Sequence, residues 1–178
     1  QERALKDHKL RDVLYAITSA AIQAKDVSSL YENIYQFISE IISSSNFYLA
    51  MLNKKDNTIY FPYEIDSYES ELPESIPCDP TRSLTARTIV QQKTLHVKET
   101  EIEQLIESGQ VTIAGELPSV WLGIPLKVKD EVIGAFVLQE YDGLTQYDEE
   151  DVRLLDLAAG QVALTIDRAR KAKALEEL

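Results

Sequence analysis

The sequence contains a single cysteine, Cys78, among 178 residues. One thiol forms no intrachain disulfide and builds no thiolate metal cage, so disulfide scaffolds and zinc ribbons are excluded and a reducing compartment, the cytoplasm, is expected. Histidine is scarce as well, with only His8 and His96, and neither stands in a His-Glu-x-x-His pattern. Six glycines are scattered without a phosphate-cradling loop. No stretch approaches the ~20 consecutive apolar residues of a membrane span, and the N-terminus lacks the apolar block of a secretory signal. Positive charge is the last shortage: 18 Lys and Arg stand against 30 Asp and Glu, a net charge of −12. Such a surface repels polyphosphates, which argues against nucleic acid or an anionic membrane as partner.

What is present fits one packed domain. Hydrophobic residues make up 44% and charged residues 27%, and a globule of this length buries about 70% of the surface its unfolded chain exposes. The chain begins at Gln1 without a methionine and is expected to be a piece of a longer protein.

Apolar residues at three- and four-residue spacing (Leu10, Val13, Leu14, Ile17, Ala20, Ala21, Ala24) predict a helix over 1–25. A second is expected from Ser28 to Ile42, with Ser29 and Glu32 as a capping box. From Phe47 the period becomes two, and Phe47–Leu52 and Ile59–Ile65 read as a hairpin across the turn at 53–57. Pro62 lacks a backbone donor and so predicts a position at or near a sheet edge. Residues 64–80 hold six acids, three prolines and no base, which reads as a solvated loop. Asp79-Pro80 then predicts the cap and first turn of a short helix through Gln91. Thr94–Val97 reads as a strand, and Glu99–Ser108 as a helix ending at Gly109.

Between Ser119 and Tyr141 two alternating runs flank Lys129-Asp130-Glu131, a second hairpin apolar on both faces and therefore central. Tyr147 to Leu178 reads as one long helix with acids at its start and bases toward its end, both favourable to the macrodipole. Val152, Leu155, Ala159, Val162, Ile166 and Ala169 form a coiled-coil seam in this reading. Leu154, Leu157, Ala158 and Leu164 supply a second apolar face.

This order of elements resembles the GAF family. Ser83-Leu84-Thr85-Ala86-Arg87-Thr88-Ile89 with Thr94-Leu95-His96-Val97 is similar to the family's middle helix and following strand. Ser119-Val120-Trp121-Leu122-Gly123-Ile124-Pro125-Leu126 with Val132-Ile133-Gly134-Ala135-Phe136-Val137-Leu138 is similar to its central hairpin, and Tyr147-Asp148-Glu149-Glu150-Asp151 to the entry of its closing helix. The resemblance implies an α+β fold of the GAF, profilin-like and PAS-related type: a central antiparallel sheet of about six strands with flanking helices and long N- and C-terminal helices. A plain PAS-like sheet is the rival, against which the two leading helices and the late hairpin argue. Expected boundaries are a signalling helix at 1–27, the GAF domain at 28–168 and a helical extension at 169–178.

The resemblance also implies a cytoplasmic sensory or regulatory role in a bacterial-type signalling protein, such as a sensor histidine kinase, a diguanylate cyclase or a transcriptional regulator. A homodimer through the N- and C-terminal helices and an unidentified small-molecule ligand go with it. The alternatives are a ligand-free dimerisation spacer and, less in keeping with the sequence, a small-molecule enzyme. No catalytic residue and no metal ligand is assigned. Cys78 is followed by Asp79 and not by the histidine of bilin-attaching members. Gln139-Glu140-Tyr141 stands where cyclic-nucleotide-binding members carry Asn-Lys, so that motif is incomplete. Methionine-sulfoxide-reducing members need several cysteines, and the cofactor stays unknown.

Candidate ligand-binding residues are Tyr48, Tyr60, Arg82, Thr85, His96, Trp121 and Phe136. The aromatics suit a flat organic molecule, though ordinary core packing is the more common reason for each. Arg82 suits an anion or a solvated surface, and His96 a haem iron, a ligand or an ordinary strand position.

Overall fold

The computed structural model describes residues 26–66, 72–113 and 115–178, together with Ala4, His8, Arg11, Asp12, Leu14, Tyr15 and Ser19. Those seven are each helical; the rest of the helix expected over 1–25 lies outside the described residues. The elements are α1 (Val27–Ile41), β1 (Phe47–Asn53), β2 (Thr58–Ile65), β3 (Ser75–Pro77), α2 (Leu84–Gln91), β4 (Leu95–Lys98), α3 (Glu99–Glu107), β5 (Val120–Val128), β6 (Glu131–Glu140) and α4 (Glu149–Glu176). The strands form one six-stranded sheet in the order β3-β2-β1-β6-β5-β4, and every pairing with a resolved register is antiparallel. Both hairpins form, and β1, β5 and β6 are buried on both faces along most of their length.

Two compact units share the chain. One comprises Gln1–Ser43, Leu126–Glu131 and Tyr147–Leu178, and the other Ser44–Pro125 with Val132–Gln146. In the first, α1 packs against α4. Leu154 and Ala158 of α4 meet Ile41 of α1 and Leu14, and Leu30, Ile34 and Ile38 recur at every fourth position of α1 and are fully buried. The cap of α1 is Asp26, whose Oδ1 accepts from Ser29 N at 2.7 Å, and not a box of Ser29 with Glu32. The aspartate lies three residues before the amide it satisfies, which is the spacing capping requires.

At its start α4 carries a reciprocal cap. Asp148 Oδ1 accepts from Asp151 N at 2.7 Å, and Asp151 Oδ2 accepts from Asp148 N at 3.0 Å. The structure corrects the seam assigned to this helix. Leu155, Ala159, Val162 and Ile166 are all buried within the single chain, so that stripe is already occupied. Leu157, half exposed at 50%, and the exposed Gly160 remain accessible on another side, with Leu164 partly so.

In the second unit, β1 and β2 fall out of step between Leu49, opposite Tyr63, and Met51, opposite Tyr60. The extra residue sits around Phe61-Pro62, so β2 bulges where proline has no donor to offer. β3 pairs only with Thr58–Tyr60, which leaves Pro62 beyond its reach, near the edge as expected. β3 itself lies in the segment read as loop. Three residues are too few to show a period in sequence, and Ile76 is the one apolar side chain it turns inward. The helix after Asp79 also starts later than expected. Asp79 Oδ1 accepts from Thr81 N and Oγ1 at 2.9 and 2.7 Å, and Arg82 N donates to Asp79 O, so residues 79–82 close a turn. Ser83 is the true cap of α2, its Oγ accepting from Ala86 N at 2.9 Å.

Candidate functional site

Antiparallel partners directly opposite one another share a sheet face, and this parity divides the candidate residues. Tyr48 lies opposite Val137, Ala50 opposite Ala135, and Val97 opposite Trp121. All six belong to one buried cluster with Leu84, Ala86 and Ile89 of α2 and Ile102 of α3. Tyr60 lies opposite Met51, Phe136 opposite Leu49 and His96 opposite Leu122, on the reverse face.

Beside this cluster opens a cavity of about 600 Å³. Its floor and walls come from Tyr48, Phe61, Thr85, Trp121, Gln139 and Tyr141. Arg82, Ser83 and Leu84 flank it at the start of α2, and Leu72, Pro73, Ile76, Pro77, Thr112, Ile113, Glu116 and Pro118 complete it. Four of the seven candidates, Tyr48, Arg82, Thr85 and Trp121, therefore line one space. Tyr60, His96 and Phe136 do not line it. Phe136 stacks instead near Phe47, ring centroids 6.1 Å apart. Burial pushes the His96 imidazole below its ordinary value, with Glu101 opposing and Lys98 adding to the shift. Phe61, Ser83, Gln139 and Tyr141 were missed. Phe61 and Gln139 were legible only through strand parity, and the bulge at Phe61-Pro62 hides the first of these.

The polar part of the floor is a short chain of hydrogen bonds. Tyr48 Oη and Thr85 Oγ1 are 2.7 Å apart, both residues are buried, and the Trp121 side chain also hydrogen-bonds to the phenol. Burial raises the Tyr48 phenol to about 12, the bonds from Thr85 and Trp121 acting against it and Tyr141 reinforcing it. The phenol is thus a neutral group at any physiological pH. Phe61 meets Tyr48 edge-on at 5.6 Å. The indole owes its place to Gly123, two residues on and on the same face. A Cβ there would collide with Trp121 Cη2 and stand 2.9 Å from Thr88 Oγ1.

Charge is confined to the rim. The Arg82 side chain is 68% exposed and 3.8 Å from Asp79, and Thr112 Oγ1 donates to Arg82 O at 3.4 Å. The cavity lining contains no cysteine, histidine or lysine among the described residues. Cys78 is buried, and its thiol is pushed up by burial and by Asp79, which disfavours the nucleophilic thiolate. The site therefore offers shape, apolar surface and a few neutral hydrogen-bonding groups.

A family model described as GAF domain matches residues 24–167. The chain belongs to the GAF domain family. No curated protein matches it by sequence. Among solved structures, this GAF domain is similar to that of a phosphoenolpyruvate-protein phosphotransferase from Acinetobacter (11% identity, 93% of this chain and 97% of that one, TM-score 0.72). It is also similar to the free methionine-R-sulfoxide reductase of Neisseria meningitidis, solved with its substrate (17%, 97% and 94%, 0.72). A third neighbour is the GAF domain of a putative sensor histidine kinase from Pseudomonas syringae pv. tomato (19%, 99% and 95%, 0.64). At these identities the likeness shows the fold, and because one neighbour is a reductase, the GAF fold alone does not decide between sensing and catalysis.

Proposed function

We propose that this GAF domain is a cytoplasmic sensory module that binds a small organic molecule in the cavity floored by Tyr48, Thr85 and Trp121 and reports occupancy through a helical homodimer. The observation that carries the reading is the cavity itself: about 600 Å³, within the size range of small-molecule sites, apolar in its walls and sparing in its polar groups. The described helices include none long and apolar enough to cross a membrane. The presence of GAF domains in a phosphotransferase and a sensor kinase supports a regulatory role, and a two-component kinase, a cyclase or a transcriptional regulator are the parent proteins this reading favours.

Among the described residues of the lining there is no cysteine, histidine or lysine, which supports the sensory reading over the catalytic one. Gln139 and Tyr141 line the cavity and precede the cap of α4 at Asp148 by nine and seven residues, and in this reading occupancy is relayed along that segment of chain. Occupancy shifts the dimer only so far as the ligand binds its two arrangements unequally. Leu157, Gly160 and Leu164, at helical three- and four-residue spacing, are the α4 positions we assign to the partner. A thermal-shift screen of nucleotides, amino acids, haem and neutral aromatic compounds tests the binding. A true ligand at a hundredfold excess over its Kd adds about 2.7 kcal/mol of stability, and a screen without any stabilising compound would leave the ligand-free spacer as the better reading. Sedimentation velocity tests the dimer: Leu157→Asp should shift the protein toward monomer, and a wild-type domain monomeric at high concentration rejects the relay.

A further inference from the structure

The hydrogens on the cavity floor can be counted. An indole N–H only donates, whereas a phenol or a threonine hydroxyl each carries one hydrogen and accepts as well. Trp121 therefore donates to the Tyr48 oxygen. The 2.7 Å contact between Tyr48 and Thr85 uses the hydrogen of one hydroxyl and a lone pair of the other. Whichever of the two donates, one hydroxyl hydrogen is left over, and among the described residues no acceptor takes it. Both residues are at most 8% exposed, so the surplus donor faces the cavity they line. A buried donor left unmatched is costly, and this one asks for an acceptor.

The charge of that acceptor follows from what surrounds it. A carboxylate brought to the floor would lose its hydration and receive one hydroxyl bond in return, because the cationic group of the lining, Arg82, stays at the rim and 68% exposed. A carbonyl, an ether or an unprotonated ring nitrogen loses far less on entering. Phe61, Tyr48 and Trp121 present rings to a flat skeleton. Building on the small-molecule reading above, we propose that the cavity selects uncharged, flat, largely apolar compounds carrying one buried hydrogen-bond acceptor, and discriminates against both their anionic and their acceptor-free analogues.

Three probes of nearly equal shape test this: α-tetralone, which carries a carbonyl; tetralin, which carries none; and tetralin carboxylate, which is anionic. Trp121 is the single tryptophan, so its emission reports from the floor itself, and the melting temperature gives a second readout. α-Tetralone should bind at least roughly tenfold more tightly than either companion, the scale of one buried unmatched donor. The variants sharpen the test. Thr85→Val and Tyr48→Phe each leave one hydroxyl hydrogen and should keep most of the preference for α-tetralone over tetralin. Because Tyr48→Phe also strips the Trp121 N–H of its acceptor, the triple variant Tyr48→Phe/Thr85→Val/Trp121→Phe is the one that removes every one of these hydrogens, and in it the preference, read by melting temperature, should fall to within about threefold, less than the contribution of one hydrogen bond. Equal binding of tetralin, or tighter binding of the carboxylate, overturns the proposal and leaves the sensory reading standing. Silence from all three probes alongside stabilisation by another compound in the thermal screen overturns the acceptor rule alone. Silence in both experiments overturns the small-molecule reading beneath it.

Discussion

Glu140 offers a severe test of how the second unit is held together. It is 7% exposed, and the segment Ser44-Ser45-Asn46, more than ninety residues away in sequence, wraps its carboxyl group. Oε1 accepts from Ser45 N at 3.0 Å and Ser44 Oγ at 3.1 Å, and Oε2 from Ser45 Oγ at 2.9 Å and Asn46 Nδ2 at 3.3 Å. Its backbone carbonyl takes Ser119 N and Oγ at 2.8 and 2.9 Å. The side chain thereby ties the entry of β1 to the exit of β6. In Glu140→Ala, water reaches the exposed Ser45 and the Ser44 hydroxyl falls back on Asn46 O at 3.0 Å, but the buried Asn46 amide loses its carboxyl acceptor and keeps the longer contact to Ser45 Oγ at 3.4 Å. Allowing about 1 kcal/mol for each of the two buried bonds lost, from Ser44 and Asn46, and a further 1 kcal/mol for the weakly held amide, the expected loss is about 3 kcal/mol. For a chain of this length that lowers Tm by about 9 °C. Glu140→Gln keeps the shape but turns an NH₂ toward a donor unless Asn46 reverses its amide, and should lose about half as much. Urea unfolding of the three proteins, with an unchanged slope, gives the free energies directly. A Glu140→Ala protein within about 0.5 kcal/mol of wild type would refute the clasp.

Further expectations follow from single contacts. Gly134→Ala places a Cβ against the Ala50 carbonyl oxygen and 3.1 Å from Met51 Cα; since a paired backbone cannot step aside, a loss of about 3 kcal/mol is expected on urea unfolding. Ser83→Ala removes the α2 cap and should lose about 1 kcal/mol, with faster amide exchange at Ala86 as the local sign. For His96, a folded value below its ordinary 6.5 means that the fold prefers the neutral ring. Stability from this source is complete above 6.5 and is lost as pH falls from there through the folded value. Urea midpoints measured from about pH 8 to about pH 5 should fall less steeply in His96→Gln than in wild type, and parallel profiles would contradict this.

How far the sequence reaches can be seen in the elements themselves. The β5–β6 hairpin was legible because alternation and a two-residue turn at Lys129-Asp130 are local, and so was α4, whose acids and apolar spacing lie within its own turns. The start of α2 was not: Asp79-Pro80 and Ser83 both carry capping chemistry, and only the competing bonds from Asp79 to Thr81 decide that the helix waits four residues. The cavity was half legible. Aromatic and hydroxyl residues announce a binding surface by type, but Tyr60, His96 and Phe136 carry the same types as Tyr48, Thr85 and Trp121, and only strand pairing tells which face each takes.

The sequence by itself determined the kinds and order of the elements, because helical and strand periods, caps and turn residues act over a few neighbours. The tertiary structure alone decided which strands adjoin, which stripe of α4 is consumed by its own chain and which residues meet Glu140 or the cavity. Those outcomes depend on contacts between segments tens of residues apart, and no local preference encodes them.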